Sequence, residues 1–220
     1  MSSHFTTAVI AGGPLQLVTL ALLAAVLVGA IVYLKLGNRA NTQTAHRLAQ
    51  TLGLTYAHAT TNTLPETAQN FKLLTHGRSH RIGHVMISRH PAGPTVFALS
   101  HDAGSHHAPE RYRQVVVVLP GPIGVPATLI LSKRGPQDIA AELGYQDSQV
   151  VERTVRSKNL ILITPKIKNI ATLLAAHPTW TLELNNDQTA ITTPGELTGD
   201  KAIDTAAFIA DAKKLVAALS

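Results

Sequence analysis

The chain has 220 residues, a formal charge of +6 from 19 basic and 13 acidic side chains, and no cysteine. Such a length holds one ordinary domain plus an appendage, and the missing cysteine excludes a disulfide framework, a thiolate nucleophile and cysteine-ligated zinc or iron–sulfur centres. With 45% hydrophobic residues, and every charged side chain placed after Leu34, disorder, collagen and coiled coil are excluded for the chain as a whole, and the N-terminal part carries a membrane signature.

Residues 15–34 contain only Gln16 and Thr19 as polar side chains. At 1.5 Å per residue this stretch spans about 30 Å, the thickness of a hydrocarbon core. It predicts one transmembrane helix over residues 15–36, behind a short tail at 1–14. Pro14 suits a first helical turn, and Tyr33, Lys35 and Arg39 take the membrane-interface positions of an aromatic and snorkelling cations. A buried helix of a soluble protein and a cleaved signal peptide are the competing readings. The first is disfavoured by length, and the second by the lack of a cationic n-region, so an uncleaved anchor is expected. Lys35, Arg39 and Arg47 follow the helix and no cation precedes it, which predicts a plasma-membrane protein with its N-terminus outside and its C-terminal domain in the cytoplasm. Ala21, Ala25 and Gly29 recur every four residues, a small-residue stripe that lets a partner helix approach.

Residues 37–53 read as a stalk: a polar joint at 37–44, then a short helix ending at Gly53. The domain follows at 54–220. Residues 62–72 are ambiguous. Strands are expected at 79–88, 95–100, 112–119 and 127–131, separated by turns at 90–94 and 120–126 and a polar loop at 101–110, forming one meander. Helices are expected at 135–143, 165–176 and 200–219, with strands at 149–155, 180–184 and 190–193. The fold class is α+β: one N-terminal transmembrane helix followed by a mostly antiparallel sheet with flanking helices.

The order of anchor, stalk, the stretch FKLLTHGR before a meander, then LILSKRGPQDIAAELG and VRSKNLILITPKIKNIATLL resembles single-pass actinobacterial membrane proteins of no assigned chemistry. The likeness spans residues 15–219. It is similar in architecture to accessory subunits of the cytochrome bcc–aa3 respiratory supercomplex. The resemblance implies a non-catalytic accessory subunit, and it carries no catalytic residues.

Two local features bear on chemistry. Seven of the eleven histidines lie between residues 76 and 107: His76, His80, His84, His90, His101, His106 and His107. On a strand, His80 and His84 share a face about 13 Å apart, too far to hold one ion. A metal or small anion bound by three-dimensional convergence of this segment, in a free-standing membrane-anchored enzyme or sensor, is the alternative function. The same stretch is basic, because Lys72, Arg78, Arg81, Arg89, Arg111 and Arg113 face only Asp102 and Glu110. It predicts contact with anionic lipid head groups or an acidic partner, strengthened by histidine protonation at lower pH. No nucleic-acid motif, phosphate loop or nucleophile elbow is present. The sequence therefore points to a non-enzyme without cofactor or metal, whose partners are integral membrane subunits and anionic lipids rather than nucleic acid.

Overall fold

The computed structural model describes residues 14–76, 78–103, 110–121, 127–131, 150–152, 171–185 and 187–219. The helix expected at 135–143, the first turns of that at 165–176, and His106 and His107 lie outside the described residues. The chain divides into two compact units, Met1–Asn41 and Thr42–Ser220.

Helix α1 (Pro14–Thr51) is one unbroken element of 38 residues. The expected joint at 37–44 is helical, because Gly37 alone costs about 1 kcal/mol in a helix interior and its polar neighbours tolerate a solvated helix. The helix stops where Gly53 takes a left-handed φ of 68°. There the Leu52 N–H donates to the Leu48 carbonyl at 3.0 Å, a C-terminal geometry that favours glycine.

Among the described residues eight strands follow: β1 (Leu54–Thr61), β2 (Arg78–Ser88), β3 (Thr95–Ala103), β4 (Glu110–Pro120), β5 (Thr128–Leu131), β6 (Val150–Glu152), β7 (Thr181–Asn185) and β8 (Gln188–Pro194). Their order across the sheet is β1-β2-β3-β4-β8-β7-β5-β6. Every pair is antiparallel except β5 and β6 at one edge. The α+β class is as expected, with three corrections. Residues 54–61 form a strand the sequence pattern leaves unread. Residues 101–103, expected in the polar loop, belong to β3, and residues 104–109 of that expectation lie outside the described residues. The strand at 127–131 does not continue the meander, because β8 occupies that edge of β4, offering a seven-residue register against the four residues of β5.

Both faces of the sheet are covered, which explains the unalternating apolar run of β4 from Val115 to Leu119, all buried. On one face Val115, Val117, Leu119, Met86, Ile191 and Leu182 pack against the last turns of α1 and helix α4 (Thr205–Leu219). Helix α4 contributes Phe208, Ile209, Ala212, Leu215 and Leu219 at helical spacing. It starts later than the expected residue 200 because Asp204 Oδ1 accepts the Ala207 N–H at 3.0 Å, an N-cap bond. Trp180, beyond the short helix α3 (Ala171–Ala176), stacks on His177 at 3.9 Å and meets the Phe208 ring edge-on at 5.1 Å. On the opposite face the ambiguous stretch resolves into a 3₁₀ turn (Glu66–Ala68) and helix α2 (Lys72–Thr75). Their Ala68, Phe71 and Leu74 cover Ile82, Phe97, Leu99, Val116 and Val118.

Candidate functional site

The first candidate surface is the face of α1. From Val18 to Leu36 its large apolar side chains are exposed, Leu20 at 70% and Tyr33 at 78%. The stretch is long and apolar enough to cross a membrane, and none of its most apolar window is buried by the rest of the chain. Ala21, Ala25 and Gly29 lie on one stripe, and a Cβ added at Gly29 would meet nothing within 4 Å. Lys35 and Arg39 are exposed on the following turns.

The second is the basic stretch, which the fold splits. Arg81 and Arg113 both stand opposite Ser100 in the β2–β3–β4 register, and Arg78 and Arg111 both stand opposite Asp102. Because Val115 and Val117 face α4, period-two alternation puts Arg111 and Arg113 on that same side, at the sheet's end. Lys72 opens α2 on the other face, and Arg89 lies past the far end of β2, where its Nε donates to Thr55 Oγ1 at 3.2 Å. Two of the arginines are already paired: Arg111 Nε bonds Asp102 at 3.1 Å, and Arg113 bonds Glu196. The surface is therefore a mixed charged end built around Arg81, Arg111 and Arg113, not a uniform cationic face. Strand β1 runs back along α1, so that Tyr56 stacks on His46 at 4.0 Å.

The third is the histidine-rich segment, in which His80 and His101 join one ring cluster and His84 another. His80, His101 and Tyr112 stack across three adjacent strands, with centroids 6.0 and 5.7 Å apart. His80 Nε2 also lies 2.7 Å from the His76 carbonyl. His84 turns away: its Nδ1 shares a 3.1 Å hydrogen bond with the Tyr56 hydroxyl, beside α1. The expected shared face of His80 and His84 is corrected by a bulge between Gly83 and Met86, where His84 adopts φ of 54°. A bulge breaks the two-residue alternation and redirects one side chain. Left-handed backbone at a non-glycine residue costs about 1–2 kcal/mol, which the Tyr56 bond and the surrounding ladder offset.

Burial lowers the pKa of His84 below the free value of 6.5. It lowers that of His101 too, assisted by the neighbouring charges of His80 and His76 and opposed by Asp102. Contrary to the expectation from unperturbed histidines, these two resist protonation as the pH falls. Tyr56 is pushed up by burial, against a hydrogen bond from Thr42. The Nδ1 of His101 is buried without a hydrogen-bond partner. Among the described residues no three histidine, aspartate or glutamate side chains converge to hold a metal ion.

Sequence reasoning passed over Glu183, Tyr56 and Glu196. Glu183 is 1% exposed, and its carboxylate accepts the backbone N–H groups of Lys72 at 2.9 Å and Leu73 at 2.7 Å, fixing α2 to the sheet. Its signal was an acidic residue between Leu182 and Leu184, on the strand face opposite theirs. Glu196 sits 83 residues from Arg113, and no local pattern connects them. No known protein family, curated protein or solved structure matches this chain.

Proposed function

We propose that the protein is a non-catalytic, membrane-anchored accessory subunit of a larger membrane complex. The observation that carries this reading is the unburied apolar length of α1, continuous with a folded α+β unit. An apolar helix of that length belongs in lipid, and its stripe of Ala21, Ala25 and Gly29 suits close packing against an integral membrane partner, since small residues let helix backbones approach. Lys35, Arg39 and Arg47, which follow the apolar stretch of α1, support a cytoplasmic C-terminal unit in the plasma membrane, by the positive-inside bias. Arg81, Arg111 and Arg113, with Lys72, Arg78 and Arg89 as lesser contributors, supply contacts to anionic head groups or an acidic subunit. The respiratory supercomplex suggested by architectural resemblance is the first assembly in which to look.

The test is affinity purification of the full chain in a mild detergent, followed by mass spectrometry of its companions. A stoichiometric membrane complex is expected, and a chain that migrates alone sinks the reading. Protease added to spheroplasts from outside should leave the C-terminal unit intact, and its digestion would reverse the orientation.

A further inference from the structure

A cavity of about 600 Å³ lies within the second unit, bounded by the end of α1, the first residue of β1, the last of β2, the turn at 90–94 and the outer side of α4. It lies on the opposite side of the sheet's length from the arginine end. Its walls are apolar where Leu52, Leu54, Ile209 and Ala210 line it. Three of its polar side chains, Ser88, His90 and Lys213, can donate. The His90 Nδ1 accepts the Ala92 N–H at 3.1 Å, so the neutral ring carries its proton on Nε2 as a donor. Ser88 Oγ accepts the His90 N–H at 3.0 Å, leaving its own hydrogen to donate. Lys213 brings an ammonium group from α4.

No carboxylate is among the lining residues. Asp211 on the same helix is held by Lys214 at 2.7 Å and by His177 at 3.5 Å. At the end of α1 the carbonyls of Arg47, Leu48 and Gln50 accept from Thr51 Oγ1, Leu52 N–H and Gly53 N–H. The turn is built tightly against the donor cluster, because a Cβ at Gly93 would fall 1.9 Å from Ser88 Oγ.

We propose that this cavity binds an amphipathic anion, with a phosphate or carboxylate head on Lys213, Ser88 and His90 and a short apolar body against Leu52, Ile209 and Ala210. A volume of this size suits a small molecule or one end of a lipid chain. Charged donors supply orientation and the apolar wall supplies affinity.

The full chain in phosphatidylcholine nanodiscs is treated with a methylating reagent, and modification of Lys213 and Lys214 is followed by peptide mass spectrometry. Hexyl phosphate should slow Lys213 at least fivefold and leave Lys214, which is paired with Asp211, unchanged. Hexanol and inorganic phosphate at the same concentration should each slow Lys213 less than twofold. Ala210→Leu, at an exposed helical position, fills the cavity and should restore the unprotected rate, as should Ser88→Ala. Nanodiscs containing phosphatidylglycerol without hexyl phosphate separate the sources. Protection there identifies a membrane lipid, and protection with hexyl phosphate alone identifies a soluble amphiphile. Protection in neither, equal protection by hexanol or inorganic phosphate, equal slowing of Lys214, or protection that survives Ala210→Leu overturns the proposal.

Discussion

A carboxylate removed from water needs partners, and Glu183 finds them in two backbone N–H groups of α2. Glu183→Ala leaves those donors unmatched beneath the 64–75 segment. We expect a loss of about 1–3 kcal/mol in urea unfolding, the range for buried donors left unsatisfied, while Glu183→Gln, which retains one acceptor, loses less. His101 poses the reverse problem, since its Nδ1 has no hydrogen-bond partner. Because burial depresses the pKa values of His84 and His101 below 6.5, the unfolded chain takes up protons more readily than the folded one. Stability present above about pH 6.5 is therefore lost as the pH falls below it. His101→Phe keeps an aromatic ring between His80 and Tyr112 without the titrating nitrogens. The fall in urea midpoint from pH 7.5 to 5.5 should be smaller in that variant than in the wild-type protein. Neither Glu183 nor the burial of His101 was legible beforehand, because each depends on strands and helices far apart in sequence.

At the scale of elements, α1 was the most legible. A twenty-residue stretch with only Gln16 and Thr19 polar predicts one long helix, and Gly53 marks its stop. Its continuity through 37–44 was not legible, since Gly37 and the polar residues after it suit a joint as well as a solvated helix. If the stripe packs on a partner, Ala25→Leu combined with Gly29→Leu should reduce recovery of the companion complex at least tenfold in detergent pull-downs, with helix content by circular dichroism unchanged. A merely lipid-facing helix would leave recovery unaffected. Strand β1 went unread because LTYAHATT combines a weak alternation with small and polar residues. Pairing with β2 and cover from α1 make it a strand. Residues 79–88 were legible as a strand, yet the bulge at His84 was not, so the period-two argument placed His84 on the wrong face.

For the whole molecule, the six cations of residues 72–113 formed a single feature in the sequence and are distributed over two faces and both ends of the sheet. Only Arg81, Arg111 and Arg113, with the backbone position of Arg78, share an end, and Asp102 and Glu196 temper two of them. If that end meets anionic lipid, Arg81→Glu with Arg111→Glu and Arg113→Glu should lower phosphatidylglycerol retained by the purified full chain several-fold in native mass spectrometry, with phosphatidylcholine unchanged. Equal retention would remove lipid contact from the reading and leave an acidic protein surface as the partner. The sequence by itself determined the long apolar N-terminal helix, the α+β class and the positions of most strands, because each follows from composition or from a period of two or four residues along the chain. Only the tertiary structure decided that β8 rather than β5 lies beside β4, that His84 parts from His80 and His101, that arginines meet Asp102 and Glu196, and that a cavity with Ser88, His90 and Lys213 in its lining opens beside α4. Those outcomes depend on competition between distant segments for the same sheet edge, the same buried face and the same counter-charge, and no local pattern records who wins it.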